Sequence, residues 1–183
     1  MNKPPMKDRL KTIPGLMWNW TCCAPSQEPT FRALLDRLPS RTILEIGTHQ
    51  GVSTGLLAEY ADNVITVDVL PNPLRAQVWS ALGVADRIEE HVHKSQHGRD
   101  TEILRGAAKA DLAFIDGSHL MRDVVHDFNL VRSQCARMIL HDYWENAEDW
   151  PDVKEFVTGL RNDPDGAYRV EIHKPFVYVE VVP

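Results

Sequence analysis

The chain has 183 residues, the size of one domain. Its 43% hydrophobic and 25% charged residues are typical of a globular protein and exclude wholesale disorder. Twenty Lys and Arg against 26 Asp and Glu give a net charge of −6, which argues against binding to nucleic-acid backbones or to an anionic membrane surface. The longest unbroken apolar runs, Leu112–Ile115 and Phe176–Val179, are too short to cross a bilayer. Met1–Lys11 leads into no apolar stretch, so no secretory signal is expected. Cys22 and Cys23 are adjacent and Cys135 is distant. That odd set makes no disulfide framework and fits a reduced, cytoplasmic setting.

Residues 1–25 are rich in Pro and Trp without sustained periodicity, and they read as an extended arm ahead of one domain over 26–183. Phe31, Leu34, Leu35 and Leu38 are spaced for a helix between Pro29 and Pro39. Then an alternation begins. Thr42–Ile46 reads as a strand and Val52–Tyr60 as a helix. Asn63–Val69 is a strand, Leu74–Leu82 a helix, and Arg87–His93 a strand. Asp100–Ala108 reads as a helix and Leu112–Ile115 as a buried strand. Leu120, Val124, Val125, Phe128 and Val131 form one helical face. Met138–Leu140 is a strand, and Val153, Phe156, Val157 and Leu160 mark the last helix. Strands separated by helices predict a mostly parallel sheet with helices on both faces. Tyr168–His173 and Phe176–Val182 leave no room for a helix between them, so the chain ends in an antiparallel hairpin. The expected fold is α/β and Rossmann-like.

Ligands of such sheets bind beyond the carboxyl ends of the strands. The first strand runs into Glu45-Ile46-Gly47-Thr48-His49-Gln50-Gly51-Val52-Ser53-Thr54. Its glycines permit a tight turn and close approach of backbone to a ligand. Asp68 closes the second strand, where a carboxylate can bind both hydroxyls of a ribose. Two cofactors fit this pattern. A dinucleotide needs Gly-x-Gly-x-x-Gly to meet its pyrophosphate, but here the glycines stand at 47, 51 and 55, with His49 in the middle place. S-adenosylmethionine has a sulfonium and no phosphate, and Glu45 and Asp68 suit it better.

On these residues the sequence resembles class I S-adenosylmethionine-dependent methyltransferases. Glu45–Thr54 is similar to the first motif of the catechol and caffeoyl-CoA O-methyltransferases. Asp68 falls at the family's ribose acid, and Ser95-Gln96 at its adenine edge. The terminal hairpin matches the family's seven-stranded sheet. Asp116-Gly117-Ser118-His119 and His141-Asp142-Tyr143 are similar to macrocin-type small-molecule O-methyltransferases. The resemblance implies a cofactor site drawn from Glu45, Gly47, Thr48, Gly51, Ser53, Asp68, Val69, Ser95, Gln96 and Asp116.

Asp116 and Asp142 end the fourth and fifth strands, and two converging carboxylates suit a hard divalent cation such as Mg²⁺. The resembling family uses an Asp-Asn pair after strand five; here the pair is Asp142-Tyr143, and His141 or a water is expected in place of the third ligand. The family's base lies at the offset of His119. An imidazole titrates near neutrality and suits that role. His91 and His93 read as packing or surface residues. Trp18 and Trp20 in the arm, with Tyr143, Trp144 and Trp150, offer aromatic walls for an organic acceptor. The expected reaction is methyl transfer to a hydroxyl of a small molecule, with Asp116 and His119 catalytic and a second subunit of a homodimer able to complete the pocket. An NAD-dependent oxidoreductase and a non-catalytic relative are the competing readings.

Overall fold

Two-residue alternation organises the molecule. In β1 (Thr42–Ile46), Ile43 enters one apolar cluster while Leu44 and Ile46 enter another. In β4 (Leu112–Ile115), Leu112 and Phe114 join the first cluster, and Ala113 and Ile115 the second. Each strand thus supplies two cores, one on each face of the sheet. A computed structural model describes residues 3–93, 110–144 and 150–182.

The remaining strands are β2 (Asn63–Asp68), β3 (Ile88–Val92), β5 (Arg137–Leu140), β6 (Tyr168–His173) and β7 (Phe176–Val181). They form a seven-stranded sheet in the order β3-β2-β1-β4-β5-β7-β6. β1 to β5 pair in parallel, and β7 runs antiparallel to both β5 and β6. The strand order reverses at β1, between β2 and β4. Connections leave β1 and β4 toward opposite faces, which opens a crevice at their carboxyl ends.

Helices α1 (Met6–Arg9), α2 (Glu28–Arg37), α3 (Val52–Leu57) and α4 (Leu74–Leu82) contribute to the first core, and α5 (Met121–Arg132) and α6 (Pro151–Arg161) to the second. Phe31 of α2 stacks on Phe176 of β7 with ring centroids 4.8 Å apart. Burying such a ring is worth about 2–3 kcal/mol. No described helix is long and apolar enough to cross a membrane.

Several sequence expectations need correction. The N-terminal segment is not an extended arm. Met6 and Leu10 are fully buried one helical turn apart, and Cys22 and Cys23 are buried in the same core. The Met6 amide donates to the Glu28 carboxylate at 3.0 and 3.1 Å, and Arg9 and Arg32 pair with Glu59. A single i, i+4 apolar pair among prolines spans only one turn and makes no sustained period. Trp18 packs against the core instead of a pocket. The third helix stops at Leu57, short of Tyr60. Leu120 precedes α5 and is exposed, so it does not belong to the buried helical face. The expected helix at Asp100–Ala108 lies outside the described residues, as do Ser95 and Gln96.

Candidate active site

The carboxyl ends of β1, β2, β4 and β5 meet at a cavity of about 1120 Å³. Its position follows from the strand order. The β1 turn can descend onto β4 only because residue 47 is glycine: its φ is +99°, and a Cβ there would lie 2.0 Å from the Asp116 carbonyl oxygen. The Gly47 amide donates to Val67 O, and the Asp116 amide donates to Ile46 O, which extends both parallel pairings into the loops. Asp116 is thereby delivered beside the turn.

Gly47, Asp68, Val69, Asp116, His119, His141 and Asp142 line the cavity. Glu45, Thr48, Gly51 and Ser53 do not. They form the buried underside of the turn. The Thr54 and Thr66 hydroxyls donate to Glu45 Oε2 at 2.5 and 2.6 Å. Because Thr66 spends its proton on Glu45, it accepts from the Thr48 hydroxyl at 2.6 Å. Burial pushes the Glu45 carboxyl up to about 7 against these hydrogen bonds. Glu45 therefore supports the turn from below; it is a strut and not a ligand contact.

Asp68 has one oxygen already engaged. Its Oδ2 accepts from the His49 amide at 2.6 Å and from Arg75 Nη2 at 2.7 Å. Its Oδ1 accepts one longer bond, from the Leu70 amide at 3.2 Å. The carboxylate thus keeps acceptor capacity mainly on one oxygen.

The opposite wall is a linked set of ionisable groups. His119 Nε2 lies 2.7 Å from Asp142 Oδ2. His141 Nδ1 lies 2.9 Å from Asp116 Oδ1 and 3.3 Å from Asp142 Oδ2. His141 Nε2 lies 2.8 Å from Gln27 Oε1. Burial by itself would lower the His141 pKa, but Asp116 and Asp142 overturn this and push it up to about 10. Both ring nitrogens of His141 thus lie within hydrogen-bond distance of an oxygen. The ligand atoms that converge are those of Asp116, His119 and Asp142, so the geometric set holds His119 in the place expected of His141. Burial alone would raise Asp142, yet the bonds to His119 and His141 hold its carboxyl far below the usual range.

Asp116, His119 and Asp142 each offer a ligand atom, all within 4.8 Å of one another. Tyr143 cannot complete such a set, because it is buried in the second core. Trp150 stacks on the His119 ring at a centroid distance of 3.9 Å. Trp20 and Trp144 also line the cavity. Among the described residues, the non-glycine residues with left-handed backbone are His49, Asp142 and Trp150, and all three line it. Such conformations cost about 1–2 kcal/mol each and cluster where a site needs them.

The segment 44–143, from β1 through the residues after β5, matches the family of the methyltransferase domain. The chain belongs to this methyltransferase family. No curated protein matches the sequence. Among solved structures, this methyltransferase is similar to an O-methyltransferase from Bacillus cereus in complex with SAH. The two are 16% identical, with a TM-score of 0.72, over 100% of this chain and 92% of that one. It is also similar to the O-methyltransferase TomG from Streptomyces achromogenes, in complex with SAM, at 19% identity and a TM-score of 0.67 over 100% and 92% of the chains. A third is MycE of the mycinamycin biosynthetic pathway, in complex with Mg, SAH and mycinamycin VI. It is 14% identical, with a TM-score of 0.66, over 98% of this chain and 54% of MycE.

Sequence reasoning missed Gln27, Asp123 and Asp127. Gln27 reaches His141 across 114 positions of sequence, and no local pattern marks it. Asp123 and Asp127 carried a signal. They interrupt the apolar face of α5 at i, i+4, are both buried, and line the cavity.

Proposed function

We propose that this methyltransferase uses S-adenosylmethionine to methylate a hydroxyl group of a small organic molecule. The observation that carries the reading is the His119–Asp142 pair at 2.7 Å on the cavity wall, beside Asp116. The cavity has room for a nucleoside and an acceptor together. Its described lining carries Asp68, Asp116, Asp123, Asp127 and Asp142 against Arg122 and His141, whose pKa is raised. That charge suits a cationic sulfonium and opposes the pyrophosphate of a dinucleotide.

S-adenosylmethionine supplies, when bound, a methyl group on a positively charged sulfur. Asp68 would accept from the ribose hydroxyls through Oδ1, with Gly47 and Val69 as the adjoining wall. Asp142, held ionised, accepts the Nε2 proton of His119. That would leave Nδ1 as the atom of His119 able to take the proton of an acceptor hydroxyl. Trp150 restricts the His119 ring to this pose, and Trp20 and Trp144 flank the space left for an organic acceptor. Residues 26–183 make up the catalytic domain, and the N-terminal segment contributes Asn19–Thr21 to the wall.

The mutual distances of Asp116, His119 and Asp142 also fit a divalent cation. These three would hold Mg²⁺, which would lower the acceptor's pKa and orient its oxygen. The Mg in MycE supports that reading. His119 cannot be ligand and base at once, so a chelator separates the two roles.

The test pairs binding with turnover. Thermal stabilisation by S-adenosylhomocysteine and not by NADH is the expected result; the reverse would falsify the reading. Turnover abolished by EDTA and restored by Mg²⁺ assigns the cation, whereas turnover indifferent to EDTA assigns His119 as a metal-independent base.

A further inference from the structure

A guanidinium with only 2% of its side chain exposed must have its donors matched, because burying an unpaired charge is expensive. Arg75 of α4 is such a group. Its Nε donates to the His49 carbonyl at 2.9 Å, its Nη1 to Glu90 Oε1 at 2.6 Å and its Nη2 to Asp68 Oδ2 at 2.7 Å. One planar fork thus ties the β1 turn, the end of β2 and the middle of β3 together. The His49 peptide is gripped at both ends, with its N–H on Asp68 and its C=O on Arg75.

This arrangement decides which part of Asp68 meets the cavity. Oδ2 is doubly engaged, so the carboxylate cannot rotate without breaking two short charge-assisted bonds. Oδ1 retains the free acceptor capacity. Glu90 shares the same cation. Without Arg75, two carboxylates would stand close with nothing between them to offset their repulsion. Anchoring α4 does not explain the residue, since Val78 and Trp79 are already buried in the first core and Trp79 Nε1 donates to the Gly51 carbonyl at 2.9 Å.

We propose that Arg75 is a positioning residue that fixes the Asp68 carboxylate, and through it the recognition of the cofactor's ribose hydroxyls. The proposal rests on the reading that Asp68 meets that ribose. Lysine would keep the charge but not the planar fork that spans three acceptors.

Calorimetry tests it with two ligands, S-adenosylhomocysteine and its 2′,3′-dideoxy analogue. The proteins are the wild type, Arg75→Met, Asp68→Ala and the double variant. Arg75→Met should weaken S-adenosylhomocysteine about tenfold or more and the dideoxy analogue far less, since the lost bonds are those to the hydroxyls. In the Asp68→Ala background it should cost almost nothing further. Equal weakening of both ligands, or a loss fully additive with Asp68→Ala, would overturn the proposal and leave Arg75 a general structural residue. If Arg75→Met does not fold, Arg75→Lys is read by the same ratio of the two Kd values, which the folded fraction does not affect. Wild-type affinity in Asp68→Ala would instead overturn the ribose reading, and the role of Arg75 with it. That outcome is recognisable because it does not involve the Arg75 variants.

Discussion

Replacing Glu45 by Gln should remove a pH-dependent liability from beneath the β1 turn. Glu45 is fully buried and its carboxyl is pushed up to about 7, from an ordinary value of 4.5. The folded chain therefore binds this proton more tightly than the unfolded chain does. Its contribution to stability is fully present below about pH 4.5 and is lost as the pH rises through about 7. At about 1.4 kcal/mol per pH unit, the gap between the two values corresponds to about 3 kcal/mol. The Gln amide keeps an oxygen to accept from Thr54 and Thr66 and cannot ionise. Any packing cost of the Gln amide is the same at every pH. The measurement is urea unfolding of both proteins from about pH 4 to about pH 9. The wild type should lose about 3 kcal/mol relative to Glu45→Gln across that window, most steeply between about pH 5 and 7. A difference that does not change with pH would refute the argument that Glu45 is buried without a compensating cation.

Three further outcomes follow from the geometry. His119→Ala should lower kcat about 100-fold or more while the affinity for S-adenosylhomocysteine stays near wild type; an unchanged kcat would remove His119 from proton transfer. Gly47→Ala forces a Cβ to 2.0 Å from the Asp116 carbonyl at a φ of +99°. It should cost about 3 kcal/mol or more and abolish cofactor binding, and a crystal structure showing the turn unmoved would contradict this. His49→Gly relieves the left-handed backbone at φ 47° and should raise stability by about 1 kcal/mol in urea unfolding; a loss of stability would show that the imidazole makes contacts worth more than the strain.

The alternating and helical spacings of apolar residues made most elements legible. Ile43 and Leu44, or Phe114 and Ile115, fall on opposite faces because successive strand residues must. The antiparallel ending was legible as well, because Lys174-Pro175 cannot hold a crossover helix. Gly47, Asp68, Asp116 and Asp142 could be picked out because ligands of parallel sheets gather at strand ends, and His119 by its offset in the resembling family; all five line the cavity. What the sequence by itself determined is therefore the order of the elements and the residues at their tips.

Tertiary structure decided how those tips are used. Glu45 and Asp68 look alike as acids at the ends of neighbouring strands, yet one is sealed beneath the turn and the other opens to the cavity. His141 was the ligand the sequence offered, but folding places its two ring nitrogens against Asp116 and Gln27 and brings His119 into the converging set with Asp116 and Asp142. Arg75 carried no signal at all until folding brought His49, Asp68 and Glu90 around it. Burial, protonation and hydrogen-bond partnership depend on groups far apart in the chain, and local spacing carries no record of them.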